Sequence, residues 1–187
     1  MDDPFDADGG ISETARIVFD TDAYLAVLPQ AKAGDADAQF QLGLWYYEGG
    51  NEAVEQDYNK AAEWFTKAAE QGHAGAQYKL GDCYHYGDGV AQDLSVADRQ
   101  AEAVEWYRKA ADSGSVEALF ELGQCYERGF GVLQDLPVKD RLAAAAEWYT
   151  KAVKHGHKGA QDFLDELRKK HGYKSGTGGG KLLRTGD

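Results

Sequence analysis

The residues able to do chemistry in this chain are five histidines, two cysteines, five serines and 32 carboxylates. His155 and His157 flank Gly156 and could present two imidazoles, but no Cys or carboxylate cluster completes a tetrahedral metal set. At a helix end such histidines also interact favourably with the dipole. The run Gly176-Thr-Gly-Gly-Gly-Lys181 superficially looks like a phosphate loop. Ser175 stands where the first Gly is required, Leu182 follows the Lys, and no strand precedes it. None of Ser12, Ser95, Ser113, Ser115 and Ser175 has a Lys three positions later, so the Ser-x-x-Lys nucleophile pattern is absent. The carboxylates are numerous enough to pair for acid–base work, but a solvated acidic surface explains them. These residues point to no catalysis, no metal and no cofactor.

The charge balance narrows the partners. Lys and Arg number 20 and Asp and Glu 32, a net charge of −12 over 187 residues. Such a chain repels nucleic-acid phosphate and anionic lipid, so neither nucleic acid nor membrane is expected as a partner. A basic protein partner is attracted, with an on-rate that falls with salt. No apolar run approaches the roughly 18 residues that span a bilayer. The first ten residues are acidic and polar, with neither the basic nor the apolar part of a secretory signal. Cys83 and Cys125 are 42 residues apart at matching places in a repeat. Stacked helices separate matching places by roughly 10 Å, beyond the reach of a disulfide. Two reduced core thiols and a cytoplasmic setting are the expectation.

The elements that must position any site follow a long period. Trp64, Trp106 and Trp148 lie 42 residues apart, each in a segment like Ala-Glu-Trp-Phe-Thr-Lys-Ala-Ala-Glu-Gln-Gly at 62–72. A fixed long period signals stacked supersecondary units. Each unit pairs a first helical run (Ala36 to Glu48, Ala74 to Tyr86, Val116 to Arg128) with the run that carries the tryptophan. The second run ends at Gly72, Gly114 or Gly156, as a left-handed helix stop would. Gly43, Gly81 and Gly123 let the facing helix approach closely. The three tryptophans are expected in the core, with Ala68, Ala110 and Ala152 making room. Between the Leu-Gly glycine and the Trp the spacing varies, so the length changes fall in the loop between the two helices. Asp93–Arg99 and Asp135–Arg141 are similar inserts there. They read as an extra helical turn capped by Asp93 and Asp135, or as a paired binding edge.

Around this core, residues 1–10 and the Gly-rich 172–187 are expected to be flexible. Ser12 caps a short helix in this reading, and a second starts near Asp20 or Thr21, with Pro29 kinking or restarting it. Lys158 to Lys170 repeats the first run without a second helix and caps the stack. Residues 11–171 thus form one all-α solenoid, with repeats at about 36–72, 74–114 and 116–156 and a terminal helix at 158–170.

The pattern Ala38-x-x-x-Leu42-Gly43-x-x-Tyr46, completed by Asp57-x-x-Lys60-Ala61-x-x-Trp64-Phe65-x-Lys67-Ala68-Ala69-x-x-Gly72, resembles the Sel1-like repeat, a relative of the tetratricopeptide repeat. Tyr84-x-x-Gly87-x-Gly89-Val90-x-x-Asp93 and Tyr126-x-x-Gly129-x-Gly131-Val132-x-x-Asp135 are similar to that family's loop. The first loop departs, with Asn51 at the second loop glycine and Val54 delayed by two residues. The resemblance implies antiparallel helix pairs in a right-handed α-solenoid, about three repeats long with capping helices at both ends. It also implies a non-catalytic adaptor, often in bacterial signalling, host interaction or toxin immunity.

Mapped from the matched Leu-Gly, the resemblance places four groove-lining positions on each first helix. They are Gln41, Leu44, Tyr47 and Glu48 in the first copy, and Lys79, Asp82, His85 and Tyr86 in the second. In the third they are Glu121, Gln124, Glu127 and Arg128. Tyr and Arg are favoured interface anchors, and the carboxylates suit a basic partner. The reading is a protein-binding adaptor. An immunity protein that neutralises a toxin or effector enzyme by direct binding is the alternative, and a hydrolase the weakest third.

Overall fold

The computed structural model describes residues 13–49, 54–90, 93–132, 136–171, 173–174 and 183–184, with side chains from residue 22 to residue 171. Eight helices carry the described chain: α1 (Glu13–Lys32), α2 (Ala36–Glu48), α3 (Tyr58–Glu70), α4 (Ala74–Tyr86), α5 (Val96–Asp112), α6 (Val116–Arg128), α7 (Val138–Lys154) and α8 (Ala160–His171). The described strands are two residues each: β1 (Tyr173–Lys174) pairs antiparallel with β2 (Leu183–Arg184). The chain divides into two compact units, Met1–Ala91 and Gln92–Asp187. The first ten residues, Ser12, Asn51, Asp135 and most of 172–187 lie outside the described residues.

Short turns force neighbouring helices into antiparallel packing. Gly72 leaves α3 with φ +88° and nothing near a would-be Cβ, so its backbone conformation alone calls for glycine. His73 then caps α4, its Nδ1 accepting from the Ala76 amide at 3.0 Å. Asp35 caps α2 in the same way, accepting from Ala38 at 2.8 Å, and Ser115 caps α6 from Ala118 at 3.2 Å. A buried glutamine strengthens two of these turns. Gln39 donates to the Ala31 carbonyl and Gln77 to the Ala69 carbonyl, each at 3.1 Å. Both satisfy a carbonyl that the helix end leaves without an intrahelical partner.

In the first unit, Ala31, Ala38 and Leu42 form a cluster covered by Tyr24, Val27, Leu28, Trp45 and Trp64. In the second, Leu142, Ala145, Ala146, Tyr149, Leu164 and Leu167 pack with Phe120 and Tyr126. The same aromatic arrangement appears in both. Phe40 lies 5.9 Å from Phe65 and 4.4 Å from His73. Phe120 lies 5.6 Å from Tyr149 and stacks on His157 at 4.3 Å. His157, half-buried, thus packs on an aromatic that borders the core.

Four expectations need correction. The tryptophans are only half-buried, and a lysine one turn on covers the ring of each: Lys67 at 4.0 Å, Lys109 at 3.7 Å and Lys151 at 3.8 Å. The deepest aromatic is the next residue, Phe65, Tyr107 or Tyr149, at 0%, 1% and 0% exposure. Second, α1 is one helix that runs through Pro29. The proline falls in its last turn and has no amide to offer the carbonyl of Leu25, a residue that faces water at 61% exposure. Third, the insert does extend the helix, to 17 residues in α5 against 13 in α3, but Asp93 does not cap it. Ser95 does: its Oγ accepts from the Asp98 amide at 3.1 Å and donates to the Asp98 carboxylate at 2.6 Å. α7 starts after Pro137 with no side-chain cap. Fourth, the terminal helix begins at Ala160, two residues later than the pattern suggests.

Candidate partner-binding site

The candidate positions sit on α2, α4 and α6, and the structure treats them unequally. On α2 and α4 it draws three of them together. Tyr47, from the end of α2, packs edge-on against Tyr58 at 5.2 Å and lies 6.2 Å from Phe65. Its hydroxyl donates to Asp88 at a long 3.5 Å. Burial first, then the Asp88 carboxylate, pushes the Tyr47 phenol up to about 12. From α4, the Lys79 ammonium reaches a point 5.4 Å from the centre of the Tyr47 ring and 5.5 Å from that of Tyr78. It pairs with Asp82 at 3.3 Å. Asp82 is 7% exposed, a buried carboxylate on a helix face that the family pattern assigns to the groove. His85 and Tyr86 meet edge-on at 4.8 Å, and Tyr86 stands 68% exposed.

Gln41 and Leu44 are half-buried and Glu48 is exposed. In the second unit, Glu121 and Gln124 are half-buried and Arg128 is exposed. Glu127 is tied inward: the buried Tyr149 hydroxyl donates to it at 2.7 Å. Burial, and next this bond, push the Tyr149 phenol well above its ordinary range. Glu127 thus anchors the core aromatic of its own repeat.

Sequence reasoning missed Tyr58, Tyr78 and Asp88 as parts of the Tyr47 cluster. Asp88 follows the αL glycine that ends α4, three residues past His85, which stands in α4 where Tyr47 stands in α2. The structure also holds a half-open cavity of about 220 Å³ lined by Ala111, Asp112, Gly114, Leu119, Trp148, Lys151 and His155. None of these is a groove position.

Both cysteines are free and buried. Burial pushes each thiol up to about 12, so neither is a nucleophile near neutral pH. No group of His, Cys, Asp and Glu among the described residues has the arrangement of a metal site. No helix among them is long and apolar enough to cross a membrane.

The Sel1 repeat model matches this chain three times in register, over residues 36–73, 74–115 and 116–157. The chain belongs to the Sel1 repeat family. It is 35% identical over 90 residues to the chitin synthase regulator SKT5 of Saccharomyces cerevisiae, covering 46% of this chain and 13% of that protein. It is 38% identical over 60 residues to the ERAD-associated E3 ubiquitin-protein ligase component HRD3A of Arabidopsis thaliana, covering 32% of this chain and 9% of that one. The crystal structure of c5321, a protective antigen of uropathogenic Escherichia coli strains with an SLR fold, matches with a TM-score of 0.63 at 36% identity. That match covers 75% of this chain and 27% of the other. The Sel1 repeat chain spans at most 13% of the curated relatives' length. Its fold is that of the all-α, tetratricopeptide-like helical repeats.

Proposed function

We propose that this Sel1 repeat chain is a non-catalytic adaptor that binds a protein partner on the exposed faces of its first helices, centred on Tyr47, Lys79, Asp82 and Tyr86. One observation carries the reading. Side chains from two helices, Tyr47 of α2 with Lys79 and Asp82 of α4, converge on one spot, and Tyr86, four residues past Asp82 on α4, is 68% exposed. Exposed tyrosine beside charged groups is the composition of an interface anchor. The net charge of −12 favours a basic partner. Two free, buried thiols suit a reducing, cytoplasmic setting.

The test is affinity capture from the source cell with quantitative mass spectrometry, run in parallel on the parent, Tyr86→Ala and Tyr47→Ala/Tyr86→Ala. Tyr86 is solvent-exposed, so its removal leaves the fold intact. The expected outcome is selective loss of the partners that the parent captures, and weaker capture in high salt. An unchanged capture profile in both variants rejects the groove.

A further inference from the structure

We propose that Tyr47, Tyr78 and Asp82 form a subsite for an arginine side chain of the partner, and that Lys79 is its internal occupant until the guanidinium displaces it. This rests on the partner-binding reading above and names the group that the site receives.

The fold does not require this charge. At the place of Asp82 the first repeat has Leu44 and the third has Gln124, and at the place of Lys79 they have Gln41 and Glu121. The ion pair therefore belongs to the second repeat alone. Burying a carboxylate is unfavourable unless a cation accompanies it, and Asp82 is 7% exposed. The site already holds a cation: the Lys79 ammonium is 3.3 Å from Asp82 and within 5.5 Å of both ring centres.

The two halves of the pair differ in freedom. The Asp82 side chain is 10% exposed and that of Lys79 is 27% exposed. The carboxylate is fixed, while a lysine stem of four carbons can carry its head into water. A guanidinium is the better occupant on three counts. It is planar and stacks on aromatic rings, it presents a fork to a carboxylate, and it is more weakly hydrated than an ammonium. Asp88, within reach of the Tyr47 hydroxyl, adds a second negative charge nearby. Because the guanidinium takes over the pairing with Asp82, the exchange leaves no buried carboxylate without a cation.

The probe is acetyl-Gly-Arg-Gly-amide, with the citrulline tripeptide as its neutral isostere. Each is titrated into the full-length, ¹⁵N-labelled parent, Lys79→Met and Lys79→Met/Asp82→Asn, following amide shifts. The arginine peptide should move the amides of Tyr47, Lys79 and Asp82 in the parent. It should bind Lys79→Met about fivefold more tightly or better, because the internal competitor is gone. The double variant should fall to the parent affinity or below, and citrulline should move nothing. The proposal is overturned if Lys79→Met binds no more tightly than the parent, or if citrulline matches arginine. Should Lys79→Met fail to fold, the parent decides through the arginine-against-citrulline comparison at those three amides. Partner capture lost in Tyr86→Ala, with no arginine preference here, sinks the subsite and leaves the groove standing.

Discussion

Gly123 lies directly against the ring of Tyr149: a Cβ added to it would sit 2.5 Å from ring carbons Cδ1 and Cε1. Gly43 stands in the same relation to Phe65, 2.5 Å from Cε1. In the first and third repeats the first helix is cut away to seat the aromatic that follows the tryptophan. Gly123→Ala should therefore destabilise the protein by about 1–3 kcal/mol, although Ala is the better helix former, because overpacking outweighs propensity. Urea unfolding of the parent and variant measures this. A variant at least as stable as the parent would remove close approach as the reason for glycine here.

The order of importance within the Trp-aromatic pair is a second expectation. Phe65 is fully buried and Trp64 only half-buried beneath Lys67. Phe65→Ala should cost about 3–5 kcal/mol. Trp64→Ala should cost clearly less, since part of its ring already faces water and the lysine stem. Equal losses in the two melts would contradict the assignment.

The sequence makes the large-scale frame legible because one period is written three times. The bounds of α2, α4 and α6 follow from apolar spacing, and the end of α3 from the glycine stop at Gly72. The ranking of Trp64 against Phe65 does not. Both are large aromatics on adjacent residues of one helix, and only the facing Gly43 tells which points inward. The candidate site was legible as positions and not as a cluster. Tyr47, Lys79 and Asp82 were each nominated, but their convergence depends on how α2 lies against α4, which spacing along the chain does not encode. Glu127 was nominated as a partner contact for the same reason. That it receives the Tyr149 hydroxyl is a consequence of helix rotation.

Alkaline conditions should weaken the fold through its thiols. In an unfolded chain a cysteine ionises near pH 8.5, whereas burial holds Cys83 and Cys125 up to about 12. Between those values the unfolded chain has released protons that the folded chain keeps. The unfolded state then binds fewer protons, and stability falls as pH rises. Tyr46 and Tyr47, also raised to about 12, add to the loss above about pH 10. Each thiol contributes at most about 1.4 kcal/mol per pH unit. Urea melts from about pH 8 to 11 should show the decline, and Cys125→Ala should flatten it. A pH-independent midpoint over that range would contradict the buried-thiol account. At neutral pH a thiol reagent should label both cysteines only after denaturant is added.

The insert offers the sharpest test of local structure. Ser95 and Asp98 close the start of α5 reciprocally, with the amide bond at 3.1 Å and the hydroxyl bond at 2.6 Å. Asp93, two residues earlier and exposed, has no such bond to an α5 amide. Ser95→Ala should therefore lower stability by about 1 kcal/mol, the usual loss for an N-cap hydroxyl. Asp93→Ala should stay within about 0.5 kcal/mol of the parent. Amide hydrogen exchange at Asp98 should quicken in the first variant and not in the second, since that amide loses its acceptor. If Asp93→Ala proves the more damaging change, the helix begins at the aspartate and the extra turn is one residue pair longer than the structure places it.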